Sequence, residues 1–347
     1  MRTKPFILDL SLPELTATLR SWGEPAYRGR QIWQGVYKSL WSQPEEFTNL
    51  SLSLRAKLAK HLAFSHLQPV TVSNSTDGET QKTLFRLPDG HPIETVRMRY
   101  AKRRTLCIST QAGCAMGCTF CATGQMGLRR NLSSGEIVEQ VLFYARQLAA
   151  QGERVTNVVV MGMGEPFHNY EATMAAIDQL TDPNGMKLGA RRFTISTVGL
   201  IPAIQRFASE RRQVNLAVSL HAADDDLRSA MIPINRKYPI GELMSALRDY
   251  TEATRRQITF EWALIRDVND TPEQTRKLAA ILRGMLAHVN VIPLNPTPGF
   301  DGQATSIERA KRFQAELVNN GIACSIRTRR GIDIQAGCGQ LASGDKL

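Results

Sequence analysis

The feature that most constrains this chain is a regular alternation of strand-like and helix-like runs from Thr105 to Arg327. Short β-branched and apolar runs at 105–110, 156–161, 192–197, 214–219, 257–264, 288–292 and 322–327 read as strands. Between them, apolar residues at i, i+3 and i+4 predict helices over 134–150, 170–180, 200–209, 240–254, 271–285 and 306–319. Ser133 and Glu136 form a capping box at the start of the first helix. Parallel strands must be joined by crossovers, so this alternation implies a mostly parallel α/β sheet. Six βα units and a final strand predict an open, partial (β/α)6 barrel rather than a closed eight-unit one.

Two smaller regions precede the barrel. Residues 1–65 read as short helices, with a capping box and proline at Ser11-Leu12-Pro13-Glu14, a stop at Gly23, and further helical runs over 27–40 and about 50–62. Residues 66–100 carry a β-hairpin extension: Lys82–Leu87, the turn Pro88-Asp89-Gly90, then the alternating run Ile93–Met98. The predicted organisation is a helical accessory domain at 1–65, the hairpin at 66–100 and an α/β core at 101–347. No apolar run approaches the roughly 18 residues needed to span a bilayer. The N-terminal segment lacks a leader-like apolar stretch. A cytoplasmic, monomeric protein is the resulting expectation.

In parallel α/β folds ligands bind at the carboxyl ends of the strands, and the chemically unusual residues gather there. The first strand leads into Cys114, Cys118 and Cys121, the second into Gly164-Glu165, and the next two into Ser196 and into Ser219-Leu220-His221. Asn295 follows the sixth strand and Cys338 the last. Of the six cysteines, Cys107 also sits on the first strand, while Cys324 lies in the last and reads as a buried small residue. Clustered thiols in a reducing compartment argue for metal or redox chemistry over a disulfide framework. The spacing C-x3-C-x2-C lacks the second pair of ligands that structural zinc wants, whereas three thiolates suit an iron–sulfur cubane with one open iron. A non-catalytic zinc- or RNA-binding protein is the alternative of a different class.

The stretch CAMGCTFC matches the radical S-adenosylmethionine (SAM) signature. With ISTQAGCAMGCTFCATGQMGLRRNL, MGMGEPFHNY, STVGLIPAI, LAVSLHA, MIPINRKYPI, VIPLNPTPG and RGIDIQAGCGQL, the chain resembles the radical SAM RNA adenine methyltransferases of the RlmN/Cfr family. The resemblance runs from the hairpin to the C-terminus, and the helical N-terminal segment is similar to that family's accessory domain.

The resemblance implies the following roles. Cys114, Cys118 and Cys121 would hold a 4Fe–4S cluster whose open iron binds SAM. Gly164, Glu165, Ser196, Ser219, Leu220, His221 and Asn295 would contact SAM. Cys338 would carry a methyl group that a SAM-derived radical activates toward the base. Cys107 would release product by forming a disulfide with Cys338, and Glu94 would remove the base's C2 proton. The implied reaction is methylation of adenosine C2 in 23S rRNA and in a subset of tRNAs, with an unidentified reductant such as flavodoxin. C8 methylation, as in the antibiotic-resistance branch, is the alternative within the family. Without the resemblance, Glu94 would read as an exposed strand carboxylate and His221 as a satisfied structural histidine.

Charge fits a polyanionic partner. Lys and Arg number 43 against 32 Asp and Glu, a formal charge of +11, which favours nucleic acid without proving it. Arg97, Arg99, Lys102, Arg103, Arg104, Arg129, Arg130, Arg327, Arg329 and Arg330 flank the candidate site residues, and several are expected to meet RNA phosphates. The pairs Arg191-Arg192, Arg211-Arg212 and Arg255-Arg256 fall at the opposite strand ends and read as ordinary surface charge.

Overall fold

The computed structural model describes residues 4–342. Three helices open the chain: α1 (Leu12–Ser21), α2 (Tyr27–Tyr37) and α3 (Leu52–His61). Ser11 caps α1 as expected, its Oγ accepting from Glu14 N while the Glu14 carboxylate accepts from Ser11 N at 2.8 Å. α2 ends at Tyr37, short of the predicted Leu40, which adopts a left-handed φ of 62°. Leu15, Leu19, Ile32, Trp33, Leu54 and Leu58 bury their shared face.

Ten strands form one sheet. β1 (Gln68–Asn74), β2 (Thr80–Arg86), β3 (Pro92–Tyr100) and β4 (Arg103–Cys107) pair antiparallel in sequence order. The predicted hairpin is β2 and β3, and β3 pairs with β4, so the hairpin belongs to the barrel sheet. The first core strand stops at Cys107 rather than residue 110, because Ser109 turns aside. Its N–H donates to the Gln140 side chain and its hydroxyl to Glu94 O. A separate ribbon, β5 (Gln111–Gly113) and β6 (Leu128–Asn131), brackets the cysteine loop and the short α4 (Ala122–Gln125).

The barrel then proceeds through α5 (Ser134–Ala149), β7 (Asn157–Val160), α6 (Tyr170–Thr181), β8 (Phe193–Thr197), α7 (Ile201–Ser209) and β9 (Asn215–Ser219). It continues with α8 (Asp225–Met231), α9 (Ile240–Thr254), β10 (Ile258–Leu264), α10 (Pro272–Leu282), β11 (Ala287–Pro293), α11 (Ile307–Asn319) and β12 (Ala323–Ile326). β4, β7, β8, β9, β10, β11 and β12 are parallel neighbours in that order. The predicted α/β partial barrel is therefore the observed fold. Val158, Ile195, Val218, Phe260, Trp262 and Val291 are buried, as expected of parallel strands covered on both faces.

The segments on either side of the N-terminal helices dock on α5. Gly135 lets Phe6 approach closely, since a Cβ there would stand 2.7 Å from its ring. Glu139, buried on α5, accepts from Ser65 Oγ and from the backbone N–H groups of His66 and Leu67.

The sheet's two edges, β1 and β12, do not pair. The segment after β12 instead crosses back to the hairpin. Thr76 donates its N–H and hydroxyl to Asp333 Oδ2, Lys82 donates to Gln335 O, and Arg330 donates to Arg99 O. A loop closes the barrel where a ladder would close a complete one.

Candidate active site

A cleft of about 1320 Å3, measured to its open mouth, lies at the carboxyl ends of the parallel strands. Its floor is the cysteine loop. Gly113, at φ +77°, packs so tightly that a Cβ would strike Gly127 O, and Cys114 N donates to that same carbonyl. Gly124 likewise lies against the Cys118 backbone, while Thr119 N donates to Met231 O. Cys114, Cys118 and Cys121 line the cleft, packed with Met116, Phe120, Ile232 and Leu294. Burial pushes all three thiols up, Cys114 to about 12. Soft thiol donors in an apolar setting fit a metal–sulfide cluster. Among the described residues no three His, Cys, Asp or Glu side chains converge on a single ion.

The adjoining wall is the Gly164-Glu165 turn. Gly164 has φ +102°, and a Cβ would fall 2.6 Å from the Gln111 side chain, so only glycine brings the backbone this close. Gln111 Oε1 accepts from Glu165 N at 2.8 Å. The Glu165 carboxylate accepts from Phe167 N and Val198 N, yet burial raises it to about 7. A buried carboxylate lacking a cationic partner fits a ligand ammonium.

Ser196 and Ser219 place their hydroxyls 3.4 Å apart on neighbouring strand ends. His221 accepts at Nδ1 from Ala263 N, which leaves the proton on Nε2. Its ring packs edge-on to Phe120, and burial together with the Arg228 charge lowers it to about 3. It is thus a neutral histidine of fixed tautomer that also lines the cleft. Asn295 donates to Cys338 O, while its own buried Oδ1 has no partner. That orphaned acceptor fits a hydroxyl or amino group of a bound ligand.

Cys107 and Cys338 face the same cleft from different directions. Cys107 ends β4. Cys338 lies in the closing loop, exposed and lining the cleft. Burial pushes Cys107 to about 12 and Cys338 to about 11, and Arg327, which also lines the cleft, opposes both shifts. Glu261, buried at 6% exposure and held by Asn290, completes this wall.

Two expected site residues lie elsewhere. Glu94 is absent from the lining and is 3% exposed, where the residue pattern alone had suggested an exposed carboxylate. It ion-pairs with Lys82 at 2.9 Å under the backbone of Ala342, and burial raises its pKa. It shares a face of β3 with Val96, which pairs with Cys107, so the closing segment is what separates it from the cleft. Leu220 is buried beside the cleft rather than lining it, with its carbonyl accepting from Arg228.

Comparison with known proteins decides the family. Residues 108–279 match the radical SAM superfamily, and residues 7–63 match the ribosomal RNA large subunit methyltransferase N-terminal domain. A dual-specificity RNA methyltransferase RlmN of Myxococcus xanthus is 51% identical, spanning 98% of this chain and 94% of the relative. The chain belongs to the RlmN-type radical SAM methyltransferases. A radical SAM methyltransferase from Sphaerobacter thermophilus shares its structure with a TM-score of 0.96 and 51% identity, over 98% of this chain and 100% of that one.

The chain is therefore an RNA methyltransferase of a family that works with an iron–sulfur cluster and SAM, and ribosomal RNA is the substrate that the family implies. No helix among the described residues is long and apolar enough to cross a membrane. Several cations expected to meet phosphates are spent internally in this RlmN-type enzyme. Arg104 forks onto Glu153, Arg130 bridges Asp89 and Glu136, and Arg327 faces the cleft. Cys324 is half-buried at the core's edge rather than enclosed, because β12 is an edge strand. The residues that sequence reasoning missed are Glu261, Gln111 and Arg228. Only the fold brings them to the site.

Proposed function

We propose that this enzyme methylates carbon 2 of an adenosine in 23S rRNA and in a subset of tRNAs, through a methyl group carried on Cys338. Cys114, Cys118 and Cys121 hold a 4Fe–4S cluster. SAM lies against Gly164, Glu165, Ser196, Ser219, His221 and Asn295, with Leu220 shaping the turn behind them. Once bound, these cofactors supply the methyl group and a one-electron route to hydrogen abstraction.

The protein's own residues do the rest. Glu165 takes the ammonium of SAM, and Asn295 fixes the Cys338 backbone while offering Oδ1 to the ligand. Arg327 favours the thiolate at either sulfur, the form that reacts. The carbon borne on Cys338 bonds to C2. The adduct gives up one electron, which returns to the cluster, and its C2 proton, which Glu94, its basicity raised by burial, accepts after the closing segment shifts. Cys107 Sγ then bonds to Cys338 Sγ. The bond from Cys338 Sγ to the new carbon breaks, its electron pair stays with that carbon, and the carbon takes up a proton. An external reductant returns the disulfide to two thiols; a flavodoxin-like protein would supply the electron to the cluster.

The observation that carries this reading is the shared cleft. Two thiols outside the triplet, from β4 and from the loop after β12, meet the triplet and the Gly164-Glu165 turn in one cavity. The test is anaerobic turnover on defined rRNA and tRNA fragments, with mass spectrometry of the product nucleosides. The expected product is 2-methyladenosine from both RNAs. 8-Methyladenosine alone would refute the regiochemistry, and product from rRNA only would remove tRNA from the proposal.

A further inference from the structure

Arg228 on α8 is fully buried, with 0% exposure. Its guanidinium is surrounded by neutral acceptors. Nε donates to Leu220 O at 3.2 Å, Nη1 to Asn235 Oδ1 at 2.7 Å, and Nη2 to Val198 O at 2.6 Å and Ser219 O at 3.2 Å. Four of its five donors are thereby satisfied. No carboxylate among the described residues forms an ion pair with it. The anionic groups that act on it are Cys118 first and Asp225 second. Asp225 is already engaged by Asn235 Nδ2 and Ile240 N.

Hydrogen bonds to carbonyls orient a guanidinium but do not neutralise it. A buried cation without a counter-anion is costly to keep in a fold. Burial pulls Arg228 down to about 10, so it remains charged at neutral pH. Its acceptors come from the ends of β8 and β9, where the SAM-facing residues Ser219 and His221 also sit. Three residues along the same helix, Met231 accepts from Thr119 N and packs with Cys114, Cys118 and Phe120, so the charge lies behind the cleft, on the Cys118 side.

We infer that Arg228 is a positioning residue that serves as the fixed counter-cation of the thiolate-bound cluster and favours its reduced form. This rests on the reading that Cys114, Cys118 and Cys121 hold that cluster. Three thiolates on a cubane make the assembly anionic, and accepting an electron adds one more negative charge. A fixed positive charge nearby in a low-dielectric setting stabilises the reduced state more than the oxidised one. The same guanidinium ties together the two strand ends that face SAM, so its charge and the SAM-facing turns are held in register.

The test uses anaerobically purified wild type, Arg228→Lys and Arg228→Met, with iron and sulfide assayed before any titration. Wild type without iron or sulfide refutes the cluster reading itself. In loaded proteins, EPR-monitored redox titration should show Arg228→Met at least tenfold harder to reduce, a fall of ~59 mV or more for one electron. Arg228→Lys, which keeps the charge, should stay close to wild type. Equal falls in both variants, or no fall in Arg228→Met, would overturn the inference and leave Arg228 a structural knot. If Arg228→Met yields no soluble protein, Asn235→Asp carries the same test. It sets a carboxylate on the Nη1 hydrogen bond and should lower the potential; an unchanged potential there overturns the inference.

Discussion

Replacing Glu165 by Gln isolates what it costs to keep a carboxylate at the cleft before its ligand arrives. Burial moves this group from the ordinary glutamate value of 4.5 to about 7. At about 1.4 kcal/mol per pH unit, the ionised form costs the cluster-free fold ~3 kcal/mol above neutrality. Because the folded carboxyl binds its proton more tightly than the unfolded one, its stabilising contribution is complete below pH 4.5. It is lost as pH rises to about 7, with no further loss beyond. Gln removes the charge and keeps the shape, but it cannot accept from both Phe167 N and Val198 N, which costs about 1–2 kcal/mol. Relative to Glu165→Gln, wild type should lose ~2–3 kcal/mol between about pH 5 and pH 8 in urea unfolding of cluster-free, reduced protein. Taking the difference between the two proteins cancels the other buried carboxyls, Glu94, Glu139 and Glu261, which shift in the same direction. Parallel pH profiles would refute the reasoning. SAM should behave oppositely, binding wild type more weakly as pH falls below about 7 and the variant weakly throughout.

Cys107→Ala should accumulate a covalent protein–RNA adduct on denaturing gels, since the methyl-transfer steps survive and resolution fails; free product at the normal rate would count against it. Cys338→Ala should abolish methylation while iron and sulfide content stay at wild-type levels. Gly164→Ala should lose about 1–3 kcal/mol of stability from the strained φ and the Gln111 clash; binding of SAM by calorimetry should fall below detection. Asp333→Ala removes the acceptor of both Thr76 donors. Limited proteolysis should then cut the segment after β12 at least several-fold faster, with little change in the global melting temperature.

The barrel was legible because a parallel strand buried on both faces must be an apolar run bounded by helices, and seven such runs stand clear in the sequence. β5 and β6 are short, and α8 has only seven residues, so periodicity could not reveal them. β1 carries almost no buried face to mark it. Most cleft residues were visible because strand ends in this fold point at ligand. Glu94 departed from its residue-level reading because both faces of β3 are covered, one by α5 and the other by the closing segment. Arg228 and Arg327 look like solvent-facing charges in one dimension. The burial of Arg228, and the turn of Arg327 into the cleft, are decided by what packs around them in three dimensions.

The loop that closes the barrel has a mechanical consequence. Separating two strands requires a row of backbone bonds to break together. Here the join between the first and last strands depends on a few side-chain bonds at Thr76, Lys82 and Arg330. The closing segment is tied more firmly on its other side, where Ala122 N donates to Gly339 O and Asn295 to Cys338 O, so the hairpin side is the weaker seam. Cys338 and the cover over Glu94 belong to that segment. On the proposed mechanism, an adenosine still tethered to a large folded RNA would enter from the side at that seam, and parting it would uncover Glu94 next to Cys338.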